Sequence, residues 1–445
     1  MTDSTSTAAV RLSAPAVMPL RTLDPSAPLD DLEWLDEAIG TARVVAIGES
    51  AHYNGETYRL RHRMLRYLVE RHGFGAYAME SGFAEGWRTD EWVRGGDDDL
   101  GQVLANGMTS LMGLWTQMRA HLEWMRHHNR TAARPVGFYG ADLSGSNASL
   151  LPSLDAVITY LAQAEPEYQL DPSIRETAAV FAASSAFSIP TAIGAYAQLA
   201  PQTKDALTAG LAELTVRMTG RRLEYARRTT AGAYERALRS LHLTITLDAL
   251  ARAMARGDRS TVIFDRGAAI ADNVEWILRR EDRIVLAAHN GHIPRRPSLL
   301  PGMPEAATPA GMHLADRLGE DYLVIGTTTG TGQTLNTDAD FYTGTLFTQM
   351  GPPEPGTLDA LMAASHDGPF ATDLRRLSPA DADAVRAAAR QRFGTFHVDL
   401  NPLDAYDLVV HLPDVTAAEP DPAALACSPD DVRETFSRWN PHPGS

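Results

Sequence analysis

Five side chains able to act as acids, bases or ligands stand in short patches, each at the end of an apolar run with strand character. Glu49 and His52 close Val44-Val45-Ala46-Ile47-Gly48-Glu49-Ser50-Ala51-His52, Glu80 follows Ala76-Tyr77-Ala78-Met79, and His289 and His292 close Ile284-Val285-Leu286-Ala287-Ala288-His289-Asn290-Gly291-His292. An imidazole titrates near neutrality, so a histidine beside a carboxylate can take a proton from water and later return it. In open α/β sheets ligands bind beyond the carboxyl ends of the strands, so Glu49, His52, Glu80, His289 and His292 are expected to converge on one cleft. The same five also make a mixed nitrogen and oxygen ligand set for Zn, Mn or Fe, and the residues by themselves leave both schemes open. A serine nucleophile is not indicated. The chain has no Gly-x-Ser-x-Gly elbow, and its nearest pattern, Gly326-Thr327-Thr328-Thr329-Gly330, centres Thr328 with no base nearby. Ser50 lies between Glu49 and His52, but adjacent residues at a strand end point in different directions, so activated water is the expected nucleophile.

The elements that must position these groups alternate along the chain. Strands are expected at residues 43–48, 76–79, 136–143, 283–288 and 322–327, with helices at 56–71, 115–128 and 267–280 and a short one around Leu314 and Leu318. Strands alternating with helices imply an α/β fold with a mostly parallel sheet flanked by helices. Between 150 and 262 the alternation gives way to Ala-, Leu- and Arg-rich helical spacing, read as an inserted helical lobe over the cleft. The expected division is a flexible N-terminal segment (1–28), the first part of the α/β core (29–149), the helical lobe (150–262), the second part of the core (263–415) and a C-terminal tail (416–445). Later strand candidates lie at 396–398 and 407–412. The glycine-rich 326–332 lacks Gly-Lys-Ser/Thr and reads as a turn after a strand.

One charge falls out of phase. At about 100° per residue with Leu60 at zero, Met64, Leu68 and Leu65 define a buried face, while Arg59, Arg63 and Arg66 fall on the opposite, solvated arc. Arg61 falls near 100°, inside the apolar stripe, where an arginine needs a partner. The nearest acidic residues at strand ends are Glu49 and Glu80, so a buried Arg–Glu pair is expected. Asp142, ending Gly140-Ala141-Asp142, is a candidate for substrate binding, and so is Trp115, with Trp87, Trp92, Met108 and Met112 as core and partial cleft lining.

Composition removes several classes. A formal net charge of −16 leaves no basic field for a nucleic acid, so none is expected as a partner. The single cysteine, Cys427, excludes an intramolecular disulfide and a thiolate metal cluster. No leader-like segment or membrane-length apolar stretch is present in the sequence, so a cytoplasmic location with no membrane association is expected. No feature of the chain reads out an oligomeric state.

Taken together, Arg43-Val44-Val45-Ala46-Ile47-Gly48-Glu49-Ser50-Ala51-His52, Leu60-Arg61-His62, Glu80-Ser81-Gly82-Phe83-Ala84-Glu85-Gly86, Gly140-Ala141-Asp142 and Ala288-His289-Asn290-Gly291-His292-Ile293 make the chain resemble the erythromycin esterases, over about residues 35 to 345. The resemblance implies an α/β core with a helical lobe over the cleft. It also implies His52 as general base, with Glu49, Arg61, Glu80, His289 and His292 around the reacting ester, and a mechanism without a metal. The expectation is an esterase or lactonase acting on a bulky, apolar, macrolide-like small molecule through His-activated water, with no cofactor. The alternatives are a tailoring enzyme of secondary metabolism using the same groups for cyclisation, dehydration or acyl transfer, and a non-catalytic binding protein for such molecules.

Overall fold

Short runs of β-branched and small apolar residues form strands numbered in chain order: β1 (Met18–Pro19), β2 (Val44–Ile47), β3 (Ala76–Gly82), β4 (Gly137–Asp142), β5 (Ile284–Ala287), β6 (Tyr322–Leu335), β7 (Phe347–Met350), β8 (Phe370–Asp373), β9 (Arg390–Phe393), β10 (Phe396–Asp399) and β11 (Leu408–Val415). The computed structural model describes residues 10–299, 301–303 and 305–439. They divide into two units, the first drawn from Met1–Gly75, Glu281–Glu419 and Trp439–Ser445, the second from Ala76–Arg280 and Pro420–Arg438.

In the first unit the strands run in the order β1-β8-β11-β6-β2-β5, with β7 paired to the far end of β6. β2 is parallel to β5 and β6, β11 is parallel to β6, and β8 and β1 are antiparallel at the edge. Every residue of β2 and β5 is buried, which is why both read as unbroken apolar runs rather than alternating ones. The register sets Ile47 beside Ala287, so the two motifs leave the sheet from neighbouring strand ends. The helix Gly55–His72 follows β2 and buries Leu60, Met64, Leu65 and Leu68. In the second unit β3 and β4 are parallel, with an irregularity between Met79 and Gly82. Helices Phe83–Val93, Leu151–Ala164, Pro201–Gly220, Ala231–Ala255 and Arg259–Leu278 make up most of the rest. The structure is therefore α/β with mostly parallel strands and flanking helices, the class expected. Among the described residues no helix is long and apolar enough to cross a membrane.

Three expectations need correction. The N-terminal segment is not loose from residue 10 on: β1 pairs with β8, Leu12 and Leu20 are buried, and its first nine residues lie outside the described ones. That segment also explains the second correction. Arg63, assigned to the solvated arc, is fully buried because residues 22–31 lie over it: its guanidinium binds the carbonyls of Thr22 and Pro28 and pairs with Asp31 at 2.6 Å. Helical phase reports one helix's own periodicity and carries no information on a distant segment that covers the far side. Third, residues 326–332 are not a turn but the middle of β6, which continues to Leu335. The glycines serve close approach instead, since a Cβ on Gly330 would collide with the Pro413 carbonyl of β11.

Gly330→Ala is accordingly expected to lower stability by about 2 kcal/mol, the cost of overpacking beside rigid backbone. Gly194→Ala, in a helix with nothing within 4 Å of the added methyl, is expected to be neutral or stabilising. Urea midpoints of the two variants check the contrast; equal midpoints would contradict it.

Candidate active site

The first unit gathers the groups around Glu49. Arg61, 2% exposed, donates from Nη1 to Glu49 Oε2 at 2.9 Å, from Nε and Nη2 to the Ile47 carbonyl at 3.2 and 2.9 Å, and from Nη2 to the Ala288 carbonyl at 2.7 Å. Ile47 ends β2 and Ala288 follows β5, where the ladder thins to a single long bond from Ala288 N–H to the Ile47 carbonyl at 3.4 Å and further donors are needed. One guanidinium thus ties two strand ends to one carboxylate. The other Glu49 oxygen, Oε1, lies 2.5 Å from His52 Nδ1. With Nδ1–H given to the carboxylate, the neutral imidazole carries its lone pair on Nε2, the form a general base requires. His52 is the more open member, 23% exposed against 2% for Glu49. It sits on a constrained backbone, for Tyr53 beside it has φ 66°, uncommon for a non-glycine residue.

The second motif docks on the first through backbone. Asn290 N–H donates to the Glu49 carbonyl at 2.8 Å, and the buried Asn290 amide makes two bonds to Thr327 of β6, giving Nδ2–H to its carbonyl at 2.7 Å and accepting its N–H at 3.1 Å. His289 is held at both ring nitrogens: Nδ1 accepts from Gly291 N–H at 3.0 Å, which leaves Nε2–H to donate to the Ser50 carbonyl at 3.2 Å. Its ring stands edge-on to His52, centroids 5.1 Å apart, with His292 6.5 Å further along. Ser50, buried, turns its hydroxyl to Thr329 Oγ1 at 3.4 Å. That orientation fits a structural hydroxyl rather than a nucleophile.

In the second unit a different arginine collects the carboxylates. Arg266 donates to Glu80 Oε1 at 2.9 Å and to Asp142 Oδ2 at 2.6 Å, both carboxylates being buried. Burial alone would depress the guanidinium, but Asp142 and Glu80 outweigh it and hold it above its ordinary value. Sequence reasoning missed Arg266 because the helix Arg259–Leu278 lies in an arginine-rich tract where no single arginine stands out by phase. Asp142 is thus a partner of Arg266. Trp115 is corrected: it is fully buried, packs against Phe436 at 5.7 Å and pairs by backbone with Pro420, so it is core rather than substrate wall. Of the aromatic and methionine group around it, Met108 lines a cavity of about 210 Å³ together with hydroxyls such as Ser110 and Ser146.

Thr328 also has a base that the sequence hid. His411 lies opposite it in the β6–β11 register, with Nδ1 2.9 Å from Thr328 Oγ1. Both are fully buried, and burial, reinforced by Arg392, pushes the imidazole down to about 3, so the pair is a neutral core bond. His62 behaves alike, pushed down to about 4 by burial and then by Arg66. Buried Asp359 moves the other way, up to about 6, because burial outweighs the N–H groups of Arg392 and Thr329 that it accepts.

Comparisons with known proteins place the chain in a family and a fold. The family model described as Erythromycin esterase matches residues 69–415, a span that begins after Glu49, His52 and Arg61. The chain is 28% identical over 335 residues to erythromycin esterase type II of Escherichia coli, covering 71% of this chain and 76% of that one. Among solved structures, a Bacillus cereus protein superposes with a TM-score of 0.75 at 20% identity, covering 92% of this chain and 97% of that one. A mutant of the erythromycin esterase EreC in its open conformation superposes with a TM-score of 0.70 at 20% identity, covering 89% and 97%.

Removing the Arg61 guanidinium leaves Glu49 buried without its cation. Arg61→Met is expected to cost about 3–5 kcal/mol, and Arg61→Lys to restore only part, since one ammonium cannot reach three acceptors at once. Urea unfolding monitored by circular dichroism reads both. Acid stability follows from the buried histidines. Their folded values lie below the ordinary 6.5, so the unfolded chain binds the extra protons and stability falls as pH drops below about 6.5 towards 4. At pH 5 each contributes a loss of about 2 kcal/mol, while Asp359, whose folded value is raised, returns about 1 kcal/mol over the same range. Unfolding free energies at pH 7 and pH 5 should therefore drop for the native protein and drop less for His62→Gln; an equal drop would contradict the assignment.

Proposed function

Because the chain belongs to the erythromycin esterase family and is thereby a hydrolase of ester bonds, we propose that it opens the lactone of a bulky macrolide-like molecule with water activated by His52. The observation that carries the mechanism is the Arg61–Glu49–His52 relay: a guanidinium on one carboxylate oxygen and an imidazole on the other, with His52 the most exposed of the three. The substrate class rests on the printed activity of the relatives.

His52 Nε2 takes a proton from water as the water oxygen attacks the ester carbonyl. Glu49 holds the Nδ1 proton, offsets the charge of the imidazolium and keeps the ring in one tautomer. The tetrahedral intermediate then collapses, the carbon–oxygen bond to the alkoxide breaks, and the imidazolium proton passes to the leaving oxygen. The products are a carboxylic acid and an alcohol, the substrate plus one water. His289, with both nitrogens engaged inside the protein, supports the loop that carries His52. His292 is the imidazole assigned to the oxyanion or the leaving group. Glu80 and Asp142 stay paired with Arg266 in the second unit and carry no step of this scheme. The reading requires no metal, because the cation of Arg61 lies 2.9 Å from Glu49 Oε2 and would repel a divalent ion on that carboxylate.

Incubation with a macrolide panel followed by mass spectrometry should show a gain of one water. His52→Asn is expected to lower kcat roughly 10²–10⁴-fold with folding intact by circular dichroism. Full activity in that variant would remove His52 from the mechanism. Loss of mass, or rearrangement without added water, would point to the tailoring reaction, and activity abolished by a chelator would restore the metal scheme.

A further inference from the structure

We propose that the tip of the β9–β10 hairpin, Phe393 above all, is a positioning element for the catalytic loops; this rests on the reading of His52 as the base. β9 is four residues long and pairs only with β10 among the described strands, yet consecutive residues reach different parts of the site. Buried Gln391 gives its Nε2–H to the Thr327 carbonyl at 2.8 Å, the same carbonyl that takes the Asn290 amide, and its Oε1 accepts Tyr406 OH at 2.9 Å. Arg392 anchors the strand: its N–H goes to Asp359 Oδ2 at 2.7 Å, and its guanidinium reaches the Thr329 carbonyl at 2.9 Å and the Gly351 carbonyl at 2.9 Å. Phe393 presents its ring at 89° to His289, centroids 5.3 Å apart, and also stands beside Gly291.

Gly394 then turns the chain at φ 62°, and its Cα side faces Ala51 Cβ and the Ser50 carbonyl. One hairpin end thus packs on the second loop through His289 and Gly291, and Gly394 lies next to Ser50 and Ala51 of the first. The Ser50 carbonyl is the acceptor of His289 Nε2–H, so the plane of the His289 ring fixes where that carbonyl, and with it the Glu49-to-His52 turn, comes to rest. An aromatic edge contact restricts the ring plane in a way a smaller side chain does not. The ring of Phe393 packs edge-on against His289, and its effect runs through that contact.

Three variants test this against a merely structural role. Phe393→Ala is expected to lower kcat roughly tenfold or more while KM changes less than about twofold, because misplacing a catalytic group by about 1 Å costs up to ~10² in rate. Val398→Ala, at the one buried residue of β10 on the other strand of the hairpin, should lower the Tm and leave kcat unchanged. Phe393→Leu, which keeps most of the volume, should recover kcat to within about threefold and carries the test if the alanine variant does not fold. The His289 imidazole resonances of Phe393→Ala should show faster exchange of the Nε2 proton. Unchanged kcat in Phe393→Ala, or equal losses in Phe393→Ala and Val398→Ala, would overturn the inference. If His52→Asn is inactive and Phe393→Ala is not impaired, the base assignment stands and only the positioning role falls.

Discussion

The buried guanidinium of Arg61 is the constraint on which the first unit's chemistry depends. A guanidinium has five donors and no acceptor, so burying it demands that several oxygens converge on it. Here the oxygens belong to the end of β2, the end of β5 and Glu49. At the ends of these parallel strands the ladder is weak, with Ala288 N–H at 3.4 Å from the Ile47 carbonyl, and Arg61 adds donors to the Ile47 and Ala288 carbonyls while delivering a positive charge to the carboxylate that orients His52. Stability and reactivity are coupled here: the group that closes the sheet end also neutralises Glu49.

The second unit repeats the device with other parts. Arg266 joins Glu80, near the end of β3, to Asp142, which ends β4, as Arg61 joins the end of β2 to that of β5. In both, a charged head reaches strand ends from a helix, Gly55–His72 in one unit and Arg259–Leu278 in the other. A negative overall balance of −16 is compatible with buried arginines because each is matched locally by carboxylates or carbonyls.

Much of this was legible before any coordinates. Apolar runs ending in Glu49, Glu80, Asp142 and His289 marked the strand ends, and the phase of Leu60, Met64 and Leu68 singled out Arg61 for burial with an acidic partner. The same phase argument failed for Arg63, which residues 22–31 cover, and had no purchase on Arg266 among many arginines. The aromatic and methionine composition around Trp115 placed it in a cleft, when contact with Phe436, more than 300 residues along the chain, makes it core. The strand at 396–398 was anticipated as β10, but its partner β9 was not: nothing in Gln391-Arg392-Phe393-Gly394 announces that Thr327, Asp359, His289 and Ala51 lie around it.

What the sequence by itself determined are properties with a local cause: which segments are strands or helices, which residues end the strands, and which charge breaks an apolar stripe. These depend on side-chain type and on a repeat of two or 3.6 residues. Only the tertiary structure decided which partner each polar group takes. The Arg61 guanidinium meets the Ala288 carbonyl 227 residues along the chain, and His289 Nε2–H meets the Ser50 carbonyl 239 residues away. Hydrogen bonds are short and directional, so they are settled by tenths of an ångström between groups that meet only when strands distant in the chain pair side by side, and no spacing along a sequence encodes that separation.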